Sequence, residues 1–400
     1  MSPKAVRTLT VSLEGIKIFR ISHIVIAIVG LVALCTQAQS RVWQGQLGSA
    51  PIVMELDISM AGDHVEGRYF YRKYNADILL VGKKTEDGRL HLTEGDARRD
   101  EDESKLGRIT LSPKGKGWQG EWQGSEGKKP LLVTLNPLDA SALATENASA
   151  RATLHYGSSS PYDLTKRAGM RLKVGKIQKF MGYTLEWMEE PITNIEMFRV
   201  RDGFSDETLD RINAILEEQQ WQEIYGEFSC KGMIERTVTP HFLNARWLSI
   251  SISTEYYCGI TTHPESGGRF LNLDIESGKL LGLEDFLWLK TDDPKLPHNA
   301  DVSRENYEYE EKFLAPWLVQ TMTSLYPREM TPLDTKDEEN SCDYMDAEIW
   351  KFPGWYLTPK GIYIAPSFPH VAGVCRYPKW SILPWSIVNK HPGRLGGKLL

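Results

Sequence analysis

Apolar side chains recur at every second position in several short stretches of the first third of the chain. Ile52, Met54, Leu56 and Ile58 alternate with Val53, Glu55 and Asp57, the period of a strand that buries one face. A Gly62-Asp63 turn follows, then the aromatic cluster Tyr69-Phe70-Tyr71 at the end of a strand over 65–71. The pattern predicts further strands at 78–81, 90–93, 108–111, 117–122 and 131–135, with Asp87-Gly88 as a hairpin signal. Many short strands with regular turns imply a small antiparallel β domain over residues 39–137, either a barrel or a sandwich.

Residues 138–160 are rich in Ala, Ser and Thr and poor in large apolar side chains, which predicts a linker. From 161 the periods are mixed. Over 206–224 Leu209, Ile212, Ile215 and Leu216 share one helical face, Ser205 can cap the start, and Asp206 and Glu207 suit its positive end. Over 245–257 Leu248, Ile250 and Ile252 alternate with Ser249, Ser251 and Ser253, which predicts a strand. Another follows at 270–275, closed by the turn Glu276-Ser277-Gly278-Lys279. A second helix lies within 306–326, with Leu314, Trp317, Leu318, Met322 and Leu325 on one face; Pro316 either kinks it or sits in its first turn. Late strands are expected at 354–357, 361–365 and 380–383. The expected class is α+β overall: the β domain, then an α+β domain over 161–390 with helices packed on an antiparallel sheet, and a tail at 391–400.

The run over 21–34, ISHIVIAIVGLVAL, has only Ser22 and His23 as polar residues. It is shorter than the roughly 18 apolar residues a membrane-spanning helix needs. Preceded by Lys4, Arg7, Lys17 and Arg20, it fits a signal peptide over 1–38, cut after Ala38. Acylation at Cys35 and an uncleaved anchor are the alternatives, and Leu34 is bulkier than the residue an acylation site wants. The expected location is periplasmic or secreted, with no membrane span after processing.

Charge and cysteines narrow the function. Without the first 38 residues, 43 Lys and Arg stand against 52 Asp and Glu, a net charge of −9. Nucleic acid needs a basic footprint and is not an expected partner; an acidic surface favours cationic ones. Four cysteines remain after export: Cys230, Cys258, Cys342 and Cys375. In an oxidising compartment they imply two disulfides with three possible connectivities, of which the sequence-local pairs Cys230–Cys258 and Cys342–Cys375 are expected. They lack C-x-x-C spacing, so neither a metal nor any other cofactor is predicted.

The sequence carries no G-x-S-x-G, H-E-x-x-H or P-loop motif. His263 is the best single polar candidate, on a loop beside Cys258; its imidazole can titrate, ligate or bond to a partner, and it can equally hold its own loop by backbone bonds. His241 and His370 are candidates to converge with it. Acidic runs at Glu305, Glu308, Glu310 and Glu311 and at 337–339 are expected to be solvated faces. In Gly117-Trp118-Gln119-Gly120-Glu121-Trp122 the two indoles share a strand face. Trp118 and Trp122 either stack on glycan rings or fill the barrel core.

A family likeness emerges in the second half. It is carried by Cys258-Gly-Ile-Thr-Thr-His263-Pro264, by 273–280 (LDIESGKL), by Leu283-Glu284-Asp285-Phe286-Leu287 and by 356–364 (YLTPKGIYI). In this order they resemble the extracellular domain of unknown function found at the C-terminus of lysozyme-sensing anti-sigma factors and beside some peptidoglycan deacetylase domains, over about residues 180–390. Ile-Thr-Thr between Gly259 and His263 departs from that family's loop. The twenty residues before Ile21 are too few for a sigma-binding domain, and no deacetylase segment is present. The first half is similar to small β modules of bacterial exported proteins. The resemblance implies a non-enzymatic envelope binding protein that engages a lysozyme-like cationic protein or peptidoglycan. A hydrolase or deacetylase acting on envelope polymers is the alternative.

Overall fold

Eight strands close into a barrel: β1 (Val42–Leu47), β2 (Ala50–Ile58), β3 (His64–Tyr71), β4 (Ile78–Lys84), β5 (Leu90–Glu94), β6 (Arg108–Lys114), β7 (Gly117–Gln123) and β8 (Leu131–Pro137). Each pairs antiparallel with its sequence neighbour, and β1 also pairs with β8, so the sheet keeps no open edge. The computed structural model describes residues 42–59, 62–95, 106–124, 129–139, 160–230, 232–258, 265–291, 304–331 and 342–396. The expected export segment 1–38 with Cys35, most of the expected linker, the acidic run 337–339 and His263 lie outside them.

Alternation decides what the barrel encloses. Ile52, Met54 and Leu56 fill the interior with Leu90, Ile109 and Val133. Val42, Val53, Phe70 and Leu138 form an outer apolar patch, and Tyr162 covers it. Tyr162 belongs to α1 (Pro161–Ala168), which begins where the Ser160 hydroxyl accepts a bond from the Asp163 N–H at 3.3 Å and Pro161 occupies the first turn. Its ring meets Phe70 edge-on, 4.9 Å between centroids.

One turn along α1, Lys166 is wholly buried, and its Nζ donates to Asp77 Oδ1 at 2.5 Å. The Tyr162 hydroxyl donates to the same oxygen at 2.5 Å, while Ser229 at 3.1 Å and Arg68 at 3.3 Å reach Oδ2. Arg68 also donates to Glu55 at 2.9 Å and to Asp163 at 3.2 Å. Burial pushes the Lys166 ammonium below its ordinary pKa, with Asp77 opposing. Burial acts downward on Arg68 too, but Asp163, Asp77 and Glu55 outweigh it and raise the guanidinium. This ion cluster ties the barrel to α1. The barrel and the later sheets belong to one compact unit spanning Val42–Leu400.

Among the described residues three further antiparallel sheets follow. The first has the order β11-β10-β9, from β9 (Lys173–Phe180), β10 (Tyr183–Glu190) and β11 (Ile195–Val200). The second runs β12 (Gly232–Leu243), β13 (Trp247–Cys258), β14 (Glu265–Asp274), β15 (Lys279–Leu280), and the third β16 (Gly354–Thr358), β17 (Gly361–Ala365), β18 (Ile382–Pro384). Between the first two sheets in sequence lies α2 (Asp206–Ser229), capped by Ser205 as its sequence predicts but one turn longer. Ile212 and Leu216 of α2 share one core with Leu185, Phe198 and Val200 and with Leu248, Ile250 and Ile252 of β13. The described residues are mostly β with few helices, which agrees with the α+β expectation in its coarse form.

Alternation in β13 predicts its serines on the polar side, facing water. Ser249 is instead wholly buried, because β16 docks there through polar bonds. The Ser249 hydroxyl donates to Asn272 Oδ1 at 2.6 Å and accepts from the Leu357 N–H at 3.1 Å. Asn272 Nδ2 donates to the Trp355 carbonyl at 2.9 Å.

The second predicted helix is interrupted. Between α3 (Arg304–Tyr309) and α4 (Ala315–Leu325) runs a π-turn, Glu310–Leu314, in which the Ala315 N–H bonds to the Glu310 carbonyl five residues back. Pro316 stands in the first turn of α4. It has no N–H for the carbonyl four residues earlier and its ring crowds that oxygen, so the preceding turn widens. Residues 391–396 form a strap on the turn around Asp285: Trp288 N–H donates to the His391 carbonyl, Gly393 N–H to Phe286 and Leu395 N–H to Asp285. The Arg394 guanidinium clasps the Asp285 carboxylate. Among the described residues no helix is long and apolar enough to cross a membrane.

Candidate functional site

A cleft of about 540 Å³ opens where β14 meets the start of β16 and the segment before β18. Its floor carries Phe270 and Asn272, and its walls carry Phe352, Trp355, Phe368, Arg376 and Tyr377. Glycines let the walls close in: a Cβ at Gly354 would run into the Phe270 ring, and one at Gly268 would come within 2.7 Å of the Tyr377 hydroxyl.

The Cys342–Cys375 disulfide, with Cα atoms 5.5 Å apart, pins the segment that bears Arg376 and matches the local pairing expected from the sequence. Tyr344 adds a bond from its hydroxyl to the Cys375 carbonyl at 3.1 Å. Cys230 is also disulfide-bonded; the side chain of Cys258, its expected partner, lies outside the described residues.

Arg376 is half-buried. Its Nε donates to the Phe368 carbonyl and its Nη1 to the Ser266 carbonyl, each at 2.8 Å. Those two bonds fix the plane of the guanidinium without neutralising it. Among the described residues no carboxylate pairs with it.

Behind the floor stands a stack of rings. Tyr356 lies between His241, 3.6 Å away between centroids, and Tyr363 at 4.4 Å, with Phe270 5.8 Å from Tyr356. His241 Nε2 bonds to the Ser251 hydroxyl at 2.8 Å, and burial pushes its pKa down to about 4. It is therefore a neutral, packed ring at neutral pH. The side chain of His370, like His263, lies outside the described residues. Burial also raises the Tyr377 hydroxyl, with Arg376 opposing.

The rim holds a feature that the sequence hid. Glu310, expected on a solvated face, is 5% exposed because the π-turn rotates it inward. Its Oε2 accepts from the Phe352 N–H at 3.1 Å. Burial, then the negative charge of Glu284, pushes its pKa up to about 8, and burial also raises Glu284. The two carboxyls hydrogen-bond and share a proton near neutrality. Phe352 itself adopts φ 49° and presents a ring 45% exposed at the cleft.

Trp118 and Trp122 lie elsewhere and pack on the barrel core. Trp118 meets Trp43 edge-on at 6.3 Å. Trp122 Nε1 donates to Glu94 Oε1 at 2.7 Å, an oxygen that also accepts from the Tyr69 hydroxyl at 2.5 Å. Neither indole joins the cleft.

A larger cleft of about 780 Å³ lies between α2, the β14–β15 turn and the strap. Three of its charges are already matched: Glu218 by Arg167 at 3.2 Å, Asp274 by Arg246 at 3.7 Å and Arg394 by Asp285. Among the described residues no group of three His, Cys, Asp or Glu side chains is placed to hold a metal ion. No family model and no curated protein matches this chain.

Proposed function

We propose that the protein is an exported cell-envelope binding protein that holds peptidoglycan in the cleft between β14 and β16. The observation that carries this is the lining itself, in which rings stand beside the Asn272 amide, the Ser367 hydroxyl and one guanidinium that has no carboxylate partner among the described residues. Aromatic faces suit sugar rings, and a fixed guanidinium suits the acidic groups of the polymer. The lining offers no nucleophile paired with a base, so binding fits it better than the hydrolase or deacetylase alternative.

A lysozyme-like cationic partner is the second possibility, favoured by the net charge of −9 after export and by the resemblance of the second half. The two are separated by co-sedimentation of the full chain with purified sacculi and by retention on immobilised lysozyme, each at low and physiological salt. Retention on sacculi at both salts supports the polymer. Retention on lysozyme alone moves the function to the protein partner, and turnover of the polymer with release of sugar or acetate establishes the enzyme.

A further inference from the structure

We infer that Arg376 anchors a carboxylate carried by a sugar, so that the cleft selects acidic over neutral saccharide units. This deepens the peptidoglycan reading and rests on it for the choice of sugar. A guanidinium carries five N–H donors in a rigid fork. The Phe368 and Ser266 carbonyls take one from Nε and one from Nη1. Three donors remain, both on Nη2 and the second on Nη1, enough to receive a carboxylate with two bonds.

The setting strengthens such a contact. Half-buried cations elsewhere in the molecule meet acids: Arg68 meets Glu55 at 2.9 Å, and the buried Arg167 meets Glu217 at 2.7 Å. Arg376 instead meets no acid among the described residues and stands beside Phe368 and Tyr377, where a charge is felt more strongly than in bulk water. Two carbonyl bonds and the neighbouring disulfide hold it in place before anything binds, so little ordering is left for the ligand to impose. Phe352 and Tyr377, 45% and 42% exposed, offer ring surface within the same cleft for the saccharide attached to the acid.

The test compares two sugars that differ by one acidic group, N-acetylmuramate and N-acetylglucosamine, titrated into the full chain by calorimetry or ligand-observed NMR. Muramate is expected to bind at least tenfold tighter at physiological salt. Arg376→Gln should bring it to the level of the neutral sugar, and Arg376→Lys should retain part of the preference. The comparison on the unaltered protein needs no variant, so it stands even where Arg376→Gln fails to fold by circular dichroism. Equal affinities, or a preference that survives Arg376→Gln in a folded variant, overturn the inference. So does retention on sacculi without any preference for muramate, which leaves the proposed function intact. An Arg376-dependent preference for muramate without retention on sacculi upholds the anchor and removes the polymer as ligand.

Discussion

The seam beneath α1 and the cleft beside β16 treat buried positive charge in opposite ways. In the seam, Lys166 and Arg68 meet Asp77, Glu55 and Asp163 at hydrogen-bond distance. In the cleft, Arg376 has only carbonyl oxygens among the described residues. A carbonyl aims a guanidinium but leaves its charge in place, whereas a carboxylate cancels it. The first arrangement joins two parts of one chain; the second leaves a donor pair for something that arrives from outside. The Glu284–Glu310 pair is a third solution, in which charge is suppressed by keeping a proton.

The most direct way to break the contrast is Lys166→Met. It leaves Asp77 buried with Arg68 as its one remaining cation among the described residues, and stability in urea is expected to fall by about 3 kcal/mol. The double variant Asp77→Asn/Lys166→Met should recover at least half of that loss. A single-variant loss below about 1 kcal/mol would mean that the seam does not depend on the pair.

Glu310→Gln sharpens the comparison through pH. Folded Glu310 keeps its proton up to about pH 8, while the unfolded side chain releases it near 4.5. The native state holds more protons between these values, so stability is greatest below the window and falls as pH rises through it. Glu310→Gln should be about 4 kcal/mol more stable than the parent at pH 8 and nearly equal to it at pH 4.5. Denaturation curves that keep the same pH dependence in both proteins would refute this. The smallest effect is expected in the cleft. Arg376→Gln loses two bonds to carbonyls and should cost about 1 kcal/mol of stability. A loss as large as that of Lys166→Met would place Arg376 with the structural cations and end the distinction.

How much of this was legible depends on which residues signal their surroundings. The alternation of Ile52, Met54 and Leu56 and the Asp87-Gly88 turn announce the barrel strands, and Leu248, Ile250 and Ile252 announce β13, because one face of each is buried. β9 is an edge strand whose first five residues are exposed, so it offers no period to read. β12 is broken by Pro240, where its register with β13 shifts. Serine at 249 gives no hint that a second sheet will cover it, and Lys166 looks like a solvent-facing residue until Asp77, 89 positions away, comes beside it. The disulfide next to the cleft was within reach of sequence, since its cysteines are local neighbours. Arg376 was not, because lacking a counter-charge is a property of space and leaves no mark on the chain. Trp118 and Trp122 show the converse: a repeat conspicuous in sequence lies in barrel packing.

The π-turn at Glu310–Leu314 gives the helix it interrupts an angular phase, in the way that an extra tooth offsets a gear. An α-helix advances each residue by about 100° around its axis, and the wider turn takes in one residue more than an α-helical turn of the same rise. Deleting a single residue there would turn α3 by roughly that angle relative to α4. Glu310 would swing away from Glu284 while the face of α4 that carries Leu318 and Met322 stayed in its core. The count of residues in one turn, rather than the identity of any of them, decides which way the carboxyl points.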